Sequence, residues 1–103
     1  MFIDKSDAAS IMLVQGWIND LVNAGMTYSR ISSRLNFSPS TIQKIVKKHR
    51  KPRLKTLRAI ASYFIKIFKN PQSCGISVVN YYTKNIYRLD NAVIEAEIFL
   101  SKL

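Results

Sequence analysis

Ser40, Thr41, Gln43 and Lys44 lie within little more than one helical turn of one another. All four side chains can hydrogen-bond the edges of DNA bases: a glutamine amide pairs two-pronged with adenine, and a lysine donates to the acceptors of guanine. Placed on a helix at about 100° per residue, Ser40, Lys44, Lys47 and Lys51 share one face. Gln43 and Lys48 flank it and Thr41 lies at its edge, while Ile42, Ile45 and Val46 point the opposite way. Such a helix can be held by its apolar side while its polar side enters a groove. Lys47, Lys48, Arg50, Lys51 and Arg53 then crowd the helix end and the next loop, where phosphates would pass.

The rest of the chain must place that helix. Thr27 is a good N-cap for a short helix that turns Ile31 and Leu35 inward, and Asn36 ends it, because Asn tolerates the left-handed conformation of a sharp turn. Ser38 caps the next helix and Pro39 takes its favoured first position. Upstream, Ile11, Val14, Ile18, Leu21 and Val22 keep 3–4 spacing. The expected helix starts at Ser6, with Asp7 in its first turn, and stops at Gly25. Trp17 is read as a core anchor. Downstream, Leu54, Leu57, Ile60, Ala61, Phe64 and Phe68 form a fourth amphipathic stretch.

Two short helices around a tight turn, the second basic and polar outward, make a helix-turn-helix. Residues 26–45, Met26-Thr27-Tyr28-Ser29-Arg30-Ile31-Ser32-Ser33-Arg34-Leu35-Asn36-Phe37-Ser38-Pro39-Ser40-Thr41-Ile42-Gln43-Lys44-Ile45, resemble the lambda-repressor/Cro-type, or XRE-family, motif. The following Arg50-Lys51-Pro52-Arg53-Leu54 is similar to that family's approach to its fourth helix. The resemblance covers roughly residues 10–68. It implies DNA binding, with backbone contacts from Thr27, Tyr28 and Arg30. Tyr28 stands where the family often has Gln, Ser32 where it has Ala, and Asn36 where it has Gly. The family's first base-reading position falls on Pro39, which cannot hydrogen-bond a base, so the reading passes to Ser40, Thr41 and Lys44.

Composition agrees. The chain of 103 residues is 48% hydrophobic and carries 16 Lys/Arg against 6 Asp/Glu, a net charge of +10. That length supports one folded unit, and that charge suits a polyanion. No acid lies between Asp20 and Asp90, whereas fourteen cations do. One-sided charge is a poor way to gain solubility alone and a good way to meet phosphates.

The remaining chemistry is sparse. His49 reads as a packed or helix-terminal residue and Cys74 as a plain reduced thiol, so no catalysis, metal or cofactor is expected. No apolar run suits a membrane span or a signal peptide, and a cytoplasmic location is expected. The break at Asn70-Pro71-Gln72-Ser73-Cys74-Gly75 divides a DNA-binding part, residues 1–69, from a helical part, residues 70–103. Residues 76–82 have strand-like composition but no partner strand, so they read as helix or loop. Ile86, Leu89, Val93, Ala96, Leu100 and Leu103 are spaced 3, 4, 3, 4, 3, a heptad pattern that predicts a homodimer seam; the other reading of the stripe is that it folds back on the domain's own helices.

The expectation is an all-α, compact bundle of four to five helices with a helix-turn-helix, plus a C-terminal helix. Its expected partners are double-stranded DNA and a second copy. Other readings are an antitoxin whose residues 70–103 cover a partner protein, the DNA-binding piece of a recombinase, and a nonspecific packaging protein.

Overall fold

The computed structural model describes residues 2–47 and 52–103, with side chains from Ile11 onward. Among the described residues six α-helices follow one another: α1 (Phe2–Asn23), α2 (Tyr28–Leu35), α3 (Pro39–Lys47), α4 (Leu54–Lys69), α5 (Ile76–Lys84) and α6 (Ile86–Ser101), with a 3₁₀ turn at Pro71–Cys74. The helix expected from Ser6 begins at Phe2 instead. Nothing in Phe2-Ile3-Asp4-Lys5 breaks a helix, so a cap-type residue at Ser6 does not start one.

Two turns of the same kind shape the helix-turn-helix. At the end of α1 the Met26 amide donates to the Leu21 carbonyl and the Gly25 amide to that of Val22, the paired bonds of a Schellman ending. Gly25 has φ +109°, which favours glycine, and a Cβ there would stand a tight 3.1 Å from the Ser77 Cβ. At the end of α2 the Phe37 amide donates to Ser32 and the Asn36 amide to Ser33, with Asn36 left-handed at φ +60°. The expected roles of Gly25, Asn36 and the Thr27 cap hold; Thr27 Oγ1 accepts the Arg30 amide at 3.1 Å.

The core draws on every helix. Val14, Trp17, Ile18 and Leu21 of α1 meet Ile31 of α2, Ile42 and Ile45 of α3, and Leu57, Ile60, Phe64 and Phe68 of α4. The cluster continues through Val78 of α5 into Leu89, Val93 and Ala96 of α6. Trp17 is buried between Phe64, at 6.1 Å between ring centroids, and Phe99 of α6, edge-on at 5.6 Å.

In this packing the heptad stripe of α6 folds back on the domain. Leu89, Val93 and Ala96 are buried along α4 of the same chain, and Leu100 is half-buried against the same core. Ile86 lies at the exposed start of the helix. Fold-back wins because α4 presents an apolar face in reach on the same chain, without the entropic cost of bringing in a second molecule. Lys69 of α4 and Glu97 of α6 add an ion pair at the surface.

Residues 76–84 are helix despite their β-branched content. Tertiary contacts decide it: Val78 is buried and the Tyr81 hydroxyl donates to Asp20 Oδ1 of α1 at 2.6 Å. Arg88 of α6 grips the same carboxylate with both terminal nitrogens, at 2.8 and 3.1 Å. Asp20 is 7% exposed, so its charge is tolerable only because these donors replace water. Burial, then the bond to Asp20, raises the Tyr81 pKa above its ordinary value. The bond to Asp20 likewise holds Arg88 more firmly protonated.

Ser32 is an opposite case. It is 1% exposed and its hydroxyl has no hydrogen-bond partner among the described residues. The position needs a small side chain and gains nothing from the oxygen.

Three stability measurements by urea unfolding follow. Asp20→Ala should destabilise by about 1–2 kcal/mol, less than a fully buried pair because Arg88 is half in solvent. Ser32→Ala should stabilise by about 1 kcal/mol, by removing an unpaired buried hydroxyl. The raised Tyr81 pKa gives stability that is complete below about pH 10 and lost as pH climbs through the folded value; Tyr81→Phe should flatten that alkaline loss.

Candidate nucleic-acid interface

The α2–α3 pair is held from both sides. Ile31 pins α2, and Ile42 and Ile45 pin α3, all fully or nearly fully buried. A further clamp comes from α1: the Gln15 amide nitrogen donates to the Ile45 carbonyl at 3.0 Å and to the Val46 carbonyl at 3.4 Å. These carbonyls belong to the last described turn of α3. Gln15 therefore fixes α3 against the scaffold along its axis, in addition to the apolar burial of Ile42 and Ile45. No motif marks Gln15 in the sequence; only the approach of α1 to α3 gives it this role.

The outward side of α3 carries the expected groups. Ser40, Gln43 and Lys47 are exposed, whereas Thr41 and Lys44 are half-buried. Ser38, Ser40 and Thr41 form a hydroxyl cluster at the helix start, with Ser38 Oγ 2.9 Å from Ser40 Oγ and 3.1 Å from Thr41 Oγ1. Ser38 thus engages its neighbours' hydroxyls and helps orient two of the expected base readers. Its likeness to an ordinary cap concealed that role in the sequence.

Thr41 and Lys44 are half-buried because they line a hollow of about 580 Å³ between the helix-turn-helix and the start of α4. Among the described residues, Asn36, Phe37, Ile45, Pro52, Arg53, Lys55 and Thr56 also line it. Lys44, Arg53 and Lys55 bring three cations around one concavity, at the end of α4 where backbone amides give the dipole a positive sign. Lys55 counted only toward net charge in the sequence; the fold brings it beside Lys44 and Arg53.

The expected backbone contacts divide similarly. Thr27, Arg30 and Arg53 are exposed, while Tyr28 is half-buried with its ring against the core. Tyr28 therefore packs as well as facing outward. Lys48, Arg50 and Lys51, with His49, lie outside the described residues. Among the described residues the ion pairs are Arg88–Asp20 and Lys69–Glu97, so no carboxylate neutralises Arg30, Arg34, Lys44, Lys47, Arg53 or Lys55. Nearby, burial raises the Tyr63 pKa, partly opposed by Arg34 and Arg30; its hydroxyl donates to the Met26 sulfur at 3.6 Å.

The model of the helix-turn-helix family matches residues 20–65. Those residues form a helix-turn-helix, similar to the DNA-binding motif of the lambda-repressor/Cro type. The match runs from the end of α1 through most of α4, so it contains both short helices, the Asn36 turn and the cationic hollow, and it excludes α5 and α6. No curated protein and no solved structure matches the chain. Among the described residues no group of His, Cys, Asp or Glu is placed to hold a metal, and no helix is long and apolar enough to cross a membrane.

The Gln15 clamp is testable. Gln15→Ala should cost about 1 kcal/mol of stability, the net worth of an ordinary hydrogen bond. It should also weaken DNA binding by more than that loss of folded protein explains, because α3 loses its axial tether. Fluorescence anisotropy on a labelled duplex, beside urea unfolding, separates the two effects.

Proposed function

We propose that this chain is a sequence-specific transcriptional regulator that binds double-stranded DNA as a homodimer, with α3 in the major groove and α2 above it. The observation that carries this is the outward face of α3. Ser40, Gln43 and Lys47 stand exposed on a helix whose other face is buried, in a stretch of chain without a single acid. A helix so presented fits a major groove, and residues in its N-terminal half reach base edges. In this reading Ser40, Thr41, Gln43 and Lys44 discriminate bases. Thr27, Tyr28, Arg30, Lys47 and Arg53 hold phosphates, together with Lys48, Arg50 and Lys51 of the sequence. Thr27 suits both duties: its oxygen accepts the Arg30 amide while its hydroxyl hydrogen remains to donate. One recognition helix reads only a few base pairs, so a second copy is needed to read successive grooves.

Selection of bound fragments from random duplexes should enrich a sequence motif; equal affinity for all duplexes of one length would instead indicate packaging. Affinity should fall about 10³–10⁵-fold between 50 and 200 mM salt if some 6–10 phosphates are engaged. Gln43→Ala should weaken the selected site by about 1–3 kcal/mol and random DNA much less, while Arg53→Ala should weaken both alike. A Gln43→Ala loss shared equally by all sequences would show that α3 does not read bases.

A further inference from the structure

The C-terminal helix has a second apolar stripe that the fold does not cover. Opposite the buried Leu89, Val93 and Ala96, residues Tyr87, Asn91, Ile94 and Ile98 recur at heptad intervals. Tyr87 is 84% exposed, Ile94 53% and Ile98 50%. Leaving three such side chains in water is unfavourable in proportion to their area. The stripe is also continuous with a groove of about 560 Å³ between α1 and α6, whose walls include Met12, Leu13, Trp17 and Ala92.

Gly16 lies in that groove. It sits mid-helix in α1, where glycine costs about 1 kcal/mol relative to alanine. A Cβ built there meets nothing within 4 Å, and no positive φ is found at this residue. Nothing inside the chain requires glycine at this point. A helix backbone approaching from outside would, because the missing side chain admits close contact.

Charge identifies the visitor. Two copies carrying +10 each repel through their cationic surfaces. The α6 stripe carries no Lys or Arg and is flanked by exposed Asp90 and Glu95, while the groove's Arg88 is paired with Asp20. It is the place where copies of this chain can meet at least electrostatic cost.

We propose that two copies of this chain associate through the α1–α6 face, with Tyr87, Ile94 and Ile98 of each copy seated against the groove that Gly16 opens in the other. This names the surface for the pairing proposed above and rests on that reading for its purpose. It uses none of the DNA-facing residues: α6 packs on α4 and α5, whereas α3 packs on α1 and α2, so both recognition helices stay uncovered. It also lies outside the segment matched to the helix-turn-helix family.

The test is sedimentation equilibrium of the full chain without DNA. Wild type should be dimeric at tens of micromolar, and added salt should tighten the dimer by screening the repulsion between copies, opposite to its effect on DNA binding. Ile94→Glu/Ile98→Glu should weaken association by about 100-fold or more with an unchanged thermal midpoint, because neither side chain is in the core. Gly16→Leu should raise the thermal midpoint, since leucine is the better helix former, yet weaken association by at least about tenfold. If the double variant loses its thermal transition, Gly16→Leu decides alone. A wild type monomeric at every salt concentration, or dimers unaffected by the substitutions, would overturn the proposal. A monomer that still selects a DNA motif would sink this surface and leave the DNA reading standing; a dimer that binds no DNA would do the reverse.

Discussion

Within two turns of α1, Gln15, Trp17 and Asp20 grip three other parts of the chain. Gln15 holds the last described turn of α3, Trp17 wedges between α4 and α6, and Asp20 gathers Tyr81 of α5 and Arg88 of α6. The apolar face between them, Val14, Ile18 and Leu21, is completely buried. A helix-turn-helix pair is too small to bury enough surface by itself. Its two helices are stable because α1 and α4 supply the missing walls, and α6 then covers the outer side of α4. The orientation of the recognition helix is therefore a property of the whole bundle.

Charge is the second constraint. A chain at +10 folds against its own repulsion, and this one separates the signs. Among the described residues, Asp20 joins three helices, Glu97 meets Lys69 and Asp90 accepts the Tyr82 hydroxyl. None of these three pairs with a residue of α2 or α3. The consequence is a surface on which Arg30, Arg34, Lys44, Lys47, Arg53 and Lys55 keep their fields unopposed, the condition for attracting a phosphate backbone over a distance and for strong salt dependence.

Local physics made much of this legible from residues alone. Thr27, Asn36, Pro39 and Gly25 each have a conformational preference that works without knowledge of the rest of the chain, and each acts as its type suggests. The 3–4 spacing of Ile31, Leu35, Ile42 and Ile45 marks which sides turn inward. The helix start is a contrast. Ser6 has a cap's chemistry, but capping preference cannot tell where a helix begins when the four residues before it are equally able to be helical.

The helical class, the turn of the helix-turn-helix, the polar side of α3 and the sign of the surface are legible in the residues alone, because they follow from short-range sterics, periodicity and summed charge. Only the tertiary structure decided which partner each apolar stripe found. The seam at Leu89, Val93 and Ala96 has the same spacing whether it meets another chain or α4, and only proximity on one chain selects α4. Val78 and Tyr81 of residues 76–84 found their partners across the fold, and Gln15 came to hold the end of α3 because α1 crosses it. Contacts between residues distant in sequence leave no periodic trace, so packing alone reveals them.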